Sequence, residues 1–361
     1  MFDNNKINTR QFTCLVILFV IGDTLLFVPS DVTSIAKQDG WLSALLAAVI
    51  GIFLVTLYGF LGKRFPSMNI VDISEKVLSL WFGKIIGVLF VFFALIDSSI
   101  TVWELGDFMT TKIMPDTPIN AILILFLSII LFGIHVGVES LARTAEIIFP
   151  WVILLFLILV LSVSPKIHLE NIQPVLEDGI KPVLRGSLPL IGFYLESVIL
   201  LMVLPYVNQT KRITKSFVIG MITGSSALFI IILLSILVLG SHLTSNSIYP
   251  SYALARKISV GSFLQRIEVI LAFIWFFTVY FKVTICFYAA TAGLAQIFKI
   301  KDHKVLMVPL ALIVYALALI TAPSTTYVNQ FLLSIWWTFT LSYGLFLPLL
   351  LITVAKLRNK Y

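Results

Sequence analysis

Ten apolar runs of roughly twenty residues or more recur along this chain of 361 residues and set the solvent it must fold in. A hydrocarbon core of about 30 Å takes about 20 helical residues at 1.5 Å each. The runs fall at about 10–35, 40–61, 84–111, 118–137, 139–163, 186–207, 215–240, 264–298, 304–322 and 329–356. Backbone polar groups in lipid need partners within their own segment, so each run is predicted to be a helix. Charged residues make up 12% of the chain, about half the share usual in a soluble domain. The fold class expected is an all-α integral membrane protein, a single transmembrane domain over 1–361.

The segments between the runs fix the organisation. Lys63-Arg64-Phe65-Pro66 stops the second helix, and 70–81 places Ile70, Ile73, Val77 and Trp81 on one face, the pattern of a short helix lying in the interface. Gly133 to Gly137 marks a split between the fourth and fifth helices. The stretch 162–185, with Pro165, Pro174 and Pro182, divides the chain near its middle, and 241–262 is predicted to carry a short surface helix. Basic residues fall 16 to 8 between the two sides, the larger number on the side of the N-terminus, with Lys282 left inside a span. By the positive-inside rule both termini are expected in the cytoplasm, which agrees with ten spans. The first run continues through Val28 without a cleavage motif, so it reads as a retained helix.

Five runs before the central loop and five after it give halves of opposite orientation. The repeat is expected at about 10–163 and about 186–356, joined by 164–185. The first helix of each half is interrupted. Gly22-Asp23-Thr24 lies in mid-span, and the sixth run reads Gly186-Ser187-Leu188-Pro189-Leu190-Ile191-Gly192-Phe193-Tyr194-Leu195-Glu196, a helix breaker with a carboxylate nearby. Paired interruptions of this kind point to a midplane ligand site, where freed N–H groups hold a carboxylate and freed carbonyls and acids hold an amine. Helix packing is the plainer reading of Pro189 and Gly192.

Other charges at depth need partners too. Asp97, Thr101 and Glu104 share a face of the third helix, with Asp107 a turn further. Asp97 is the deepest and is expected to line the cavity, whereas Glu104 and Asp107 lie nearer the end, where hydration is an equal alternative. Lys282 lies in Thr278-Val279-Tyr280-Phe281-Lys282-Val283-Thr284, too deep to snorkel, and Asp23 is its candidate partner. Glu139, Arg143 and Glu146 share a face of the fifth helix and read as a structural ion cluster, with neutralisation of Arg143 expected to lower abundance. Cys14 and Cys286 both lie in apolar runs and read as packing residues. Four scattered histidines have no metal spacing, so no metal or cofactor is expected. The glycosylation pattern Asn208-Gln209-Thr210 falls on the cytoplasmic side of the expected topology. No enzyme motif is found, and the basic residues sit in short loops, so neither an enzyme nor a nucleic-acid binder is expected.

The run from Gln11-Phe12 through Gly22-Asp23-Thr24 to Pro29-Ser30, then Asp39-Gly40-Trp41-Leu42, resembles the opening of the B subunit of bacterial spore germinant receptors. So do Gly137-Val138-Glu139-Ser140-Leu141-Ala142-Arg143 and the central Asn171-Ile172-Gln173-Pro174 with Gly179-Ile180-Lys181-Pro182. That family is similar to the amino acid–polyamine–organocation transporters, which implies a LeuT-like fold: a five-plus-five inverted repeat with discontinuous helices 1 and 6. The resemblance further implies a nutrient sensor in the inner membrane of the spore, working with an A subunit and a lipoprotein C subunit. Its ligand would be an amino acid, in some members a sugar or nucleoside. Carried over by position, ligand contacts would come from Gly22, Asp23 and Thr24, from Asp97 and Thr101, from Gly192, Phe193, Leu195 and Glu196, and from Thr278, Lys282 and Thr284.

Overall fold

The computed structural model describes residues 6–257 and 268–359. Asn8 opens the first helix with a reciprocal cap, its side chain accepting from the Gln11 backbone and the Gln11 side chain accepting from its own. Helix α1 (Thr9–Ile21) stops at Gly22, and α2 (Thr24–Ala36) resumes the same pass after Asp23. A turn at Lys37–Asp39 leads into α3 (Gly40–Arg64), which returns across the bundle. Nine described segments are long and apolar enough to span a membrane. One of them, Thr24–Arg64, runs across the Lys37–Asp39 turn; with α1 it supplies two passes, which makes ten.

The short helix α4 (Ile70–Val77) sits where an interfacial helix was expected, but it ends before Trp81. Ser79 turns the chain, and Trp81 belongs to the next pass, α5 (Leu80–Phe108). Helices α6 (Ile119–Val136) and α7 (Val138–Val163) meet at Gly137, within the expected split. Beyond the central loop, α8 (Ile180–Leu195) runs unbroken through Pro189 and Gly192. The interruption of the sixth pass therefore lies at Glu196, where the backbone tightens into 3₁₀ turns over Glu196–Met202, and not at the proline. Gly192 serves packing instead, since a Cβ there would stand 2.9 Å from Trp337 Cα.

Helix α9 (Ile213–Asn246) kinks at Gly240, and α10 (Pro250–Arg256) forms where a short surface helix was expected but is tucked into the bundle, with Pro250, Ser251, Tyr252, Leu254 and Ala255 buried; the rest of that expected loop, 258–262, lies outside the described residues. The eighth pass is α11 (Glu268–Ile297). Next comes α12 (Met307–Thr321), and a tenth pass made of α13 (Thr325–Phe331), α14 (Trp337–Leu341) and α15 (Leu347–Leu357) joined by wider π turns.

The broken helices occupy the centre. Every residue of α1 from Cys14 to Ile21 is buried, as expected of a helix that other helices enclose. It packs on α7, α9 and α11, while α2 packs on α8 and α9, and α5 packs on α11. Long outer faces of α6, α7 and α12 stay exposed and apolar, the surface that lipid covers. The bundle thus wraps two interrupted helices in eight others, so that the polar groups at the interruptions meet protein and not lipid.

Candidate functional site

Gly22 takes φ +32° and ψ −128°, a backbone shape that side chains rarely permit. The sharp turn frees the carbonyls around it, and each finds a partner inside the protein. Thr278 Oγ1 donates to the Gly22 carbonyl at 2.8 Å, and Trp275 Nε1 donates to that of Asp23 at 2.9 Å. The Thr24 hydroxyl donates back to Ile21 at 2.9 Å and Val20 at 3.1 Å. These carbonyls, expected from sequence to await a ligand, are thus already occupied by side chains of α11 and α2.

Lys282 reaches both interruptions at once. Its Nζ donates to Asp23 Oδ1 at 2.7 Å, Asp23 Oδ2 at 2.8 Å and Glu196 Oε2 at 2.5 Å, and Asp97 Oδ1 stands 3.6 Å away. The lysine is 1% exposed. A buried ammonium is tolerable only with such close anionic partners, because removing it from water costs several kcal/mol. Rings of Phe19 and Phe193 flank the same Nζ at 5.9 and 5.6 Å from their centroids, an arrangement that favours a cation. Each acid is itself held. Thr101 Oγ1 donates to Asp23 Oδ2 at 3.2 Å, Cys286 Sγ to Asp97 Oδ2 at 3.2 Å, and Trp336 Nε1 to Glu196 Oε1 at 2.5 Å.

Of the residues singled out in the sequence, Gly22, Asp23, Thr24, Asp97, Thr101, Phe193, Glu196, Thr278 and Lys282 come together here. Three do not. Gly192 faces Trp337, Leu195 lies against Gly344, and Thr284 turns to α6 near Gly133 while donating to its own Tyr280 carbonyl at 2.6 Å. Residue 284 is two places from Lys282, hence nearly on the opposite side of the helix. Cys286, read as packing, is instead a donor to Asp97 one turn from Lys282. Trp275 could have been found too, since Trp275, Thr278 and Lys282 share one helix face. Trp336 enters from the tenth pass, whose sequence carries no comparable signal.

Glu104 is enclosed and does not reach the surface: it is 2% exposed, and among the described residues neither carboxyl oxygen has a hydrogen-bond partner. Asp107, also buried, accepts from the Tyr249 hydroxyl and, at 2.9 Å, from Thr325.

The expected cluster of Glu139, Arg143 and Glu146 is split. Arg143 pairs with Glu139, but Glu146 meets Arg10 of the segment α1, with Nε and Oε1 3.2 Å apart. The Arg143 side chain is 66% exposed, so water screens its pair and little stability rests on it. Arg143→Gln is therefore expected to shift the thermal midpoint by no more than about 1 kcal/mol in equivalent stability, measured on the detergent-purified protein. A large loss of abundance would restore the cluster reading.

A second polar region lies at the end of the bundle near α4. A cavity of about 480 Å³ opens there, and its lining includes Asn69, Asp72, Glu139, Tyr288 and Gln296. Asp72 accepts from Gln296 Nε2, and burial pushes its carboxyl above the usual range. Tyr206 and Tyr288 join hydroxyls at 2.8 Å on the same wall.

Comparison with known proteins agrees with this architecture. A family model described as "Spore germination protein" matches residues 6–326. Spore germination protein KB of Bacillus subtilis (strain 168) is 28% identical over 360 residues, covering 98% of this chain and 96% of its own. Spore germination protein YndE of the same strain is 30% identical over 302 residues, or 82% of each chain. Among solved structures, Mhp1, a nucleobase-cation-symport-1 family transporter with bromovinylhydantoin bound in a closed conformation, is similar with a TM-score of 0.72 at 12% identity, covering 92% of this chain and 75% of that one. MhsT in complex with L-phenylalanine gives 0.68 at 15% identity, covering 95% and 97%. At such identities the likeness concerns the fold, which is the LeuT-like transporter fold with discontinuous helices 1 and 6.

Proposed function

The chain belongs to the spore germination protein family, and from that premise we propose that it is the nutrient-sensing membrane subunit of a germinant receptor, binding a small germinant where its two interrupted helices meet. One observation carries the reading: Lys282 binds Asp23 of the first interruption and Glu196 of the second in a single buried latch. A zwitterion such as an amino acid brings a replacement for each half of such a latch. Its carboxylate can take over the ammonium, and its ammonium can take over a carboxylate, without leaving a buried charge unpaired. A neutral molecule would have to leave the latch closed. Two solved proteins of similar fold hold small molecules, L-phenylalanine in one and bromovinylhydantoin in the other, which supports a ligand role.

Binding signals only if the ligand prefers one arrangement of the bundle, since equal affinity for two states moves neither. Here the preference has a physical source. The latch ties α1 and α2 to α11 and to the 3₁₀ segment after α8, so a ligand that opens it frees those elements to shift. A receptor's A and C subunits would read that shift at the membrane faces, in the inner membrane of the spore with both termini cytoplasmic. The second reading is a proton- or cation-coupled amino acid transporter. It is favoured by the surplus of acid, since three carboxyls surround one ammonium and would gain from a further positive charge.

The test is a thermal-shift titration of the purified chain with amino acids, sugars, nucleosides and simple salts. We expect a saturable rise with an amino acid, about 2.7 kcal/mol in equivalent stability at a hundredfold excess over Kd, which Thr278→Val weakens. Absence of any shift would remove the receptor reading. Concentrative uptake of the same compound into proteoliposomes would replace it with the transporter.

A further inference from the structure

The carboxyl of Glu104 stands apart from every other acid near the site, because each of those has a donor and it has none. Asp23 has Lys282 and Thr101, Asp97 has Cys286, Glu196 has Lys282 and Trp336, and Asp107 has Tyr249 and Thr325. Leaving a buried polar group unmade costs about 1–3 kcal/mol, and more when it is charged. Taking up a proton would cancel the charge but not the deficit, because the new hydroxyl would itself need an acceptor. Among the described residues none supplies that donor, and a ligand's ammonium would.

Its position says where that donor would stand. On α5 Glu104 is three residues from Thr101, which bonds Asp23, and three from Asp107, which bonds Tyr249. It is thus about one helical turn, some 5 Å, along the bundle from the Lys282 latch. One turn onward, Phe108 packs edge-on against Trp275 at 5.0 Å, Tyr249 at 5.1 Å and Tyr252 at 5.3 Å. Aromatic faces beside a carboxylate attract an ammonium doubly.

Resting on the receptor-site reading above, we propose that Glu104 shares recognition of the ligand's ammonium with the Asp23 carboxylate that Lys282 releases, while Lys282 keeps Glu196 and receives the ligand's carboxylate, so that the site selects primary amino acids over their amine-free analogues. An α-amino acid with a hydrogen bond of about 3 Å at each of its charged groups is long enough to bridge protein groups one helical turn apart. The ring cluster of Phe108, Trp275 and Tyr249 would then close over the bound ammonium, with the Tyr249–Asp107 hydrogen bond fastening α10 to α5.

The experiment is a thermal-shift titration of the full-length purified chain and of Glu104→Gln, with L-alanine, L-valine and L-phenylalanine, each against the corresponding 2-hydroxy acid, and with glucose and inosine. On the wild-type chain the best amino acid should bind about tenfold or more tightly than its hydroxy analogue. In Glu104→Gln that preference should fall to within about threefold, while the ligand-free midpoint holds or rises because a buried unpaired acid is gone. Comparing the amino and hydroxy acids on wild type needs no variant, so a variant that misfolds leaves the test standing. Equal binding of the two ligand types to wild type, or an undiminished preference in Glu104→Gln, overturns the assignment, and a buried water then explains the orphaned carboxyl. Stabilisation of both proteins by glucose or inosine alone keeps the receptor site and rejects Glu104 as its ammonium anchor. If nothing stabilises the wild type, both readings fall.

Discussion

Lys282→Met is expected to cost the folded protein about 3–5 kcal/mol, the penalty for leaving buried acids without their cation. Asp23 and Glu196 both bind that ammonium within 2.8 Å, and neither can turn to water. Methionine keeps the unbranched apolar stem and lacks only the terminal ammonium position, so the loss of charge is largely isolated from the loss of packing. Against a total stability of some 5–15 kcal/mol the loss is severe. Most of the variant should be missing from the monodisperse peak when detergent extracts are compared by fluorescence-detected size exclusion. Adding Asp23→Asn and Glu196→Gln to Lys282→Met should recover part of it, because the groups are coupled and neutral partners no longer need the ammonium. If the single variant keeps the wild-type midpoint, the latch carries no structural weight, and its role in holding the interruptions together fails with it.

What could be read from the sequence follows from how directly each feature depends on neighbours in the chain. The ten passes were legible because their length answers to the bilayer alone, and the interruption at Gly22-Asp23 because a glycine beside an acid in an apolar run has few structural outcomes. Lys282 and Asp23 could be paired in advance since a charge at depth demands a partner and few are available. The second interruption was misplaced. Pro189 looked like the breaker, yet α8 continues through it, and the backbone tightens only at Glu196, whose carboxylate is drawn to Lys282 and Trp336. That contact joins residues 86 and 140 positions apart, which no local pattern encodes. Likewise the assignment of Glu146 to Arg143 rested on spacing within one helix, whereas Arg10 arrives from another. Glu104 was left open between hydration and cavity because depth along a helix says nothing about what the neighbouring helices cover.

Gly22→Ala is expected to damage the site more than the fold. At φ +32° and ψ −128° a residue with a side chain carries backbone strain of about 1–3 kcal/mol. The added Cβ would also stand 2.7 Å from Lys282 Cδ and 2.7 Å from the Phe19 carbonyl oxygen. The lysine stem can yield; the carbonyl belongs to the last turn of α1 and cannot. Yielding carries the ammonium away from Asp23 and Glu196, so one methyl group loosens both ends of the latch. Gly137→Ala separates the two effects, since Gly137 also has a positive φ, +104°, but a Cβ there meets nothing within 4 Å. Both variants should lose stability through strain. Only Gly22→Ala should also lose the ligand-dependent thermal shift, by about tenfold or more in the concentration needed. Equal ligand responses in the two variants would mean that the interruption is merely a tolerated kink, with the latch indifferent to the shape of the backbone beneath it.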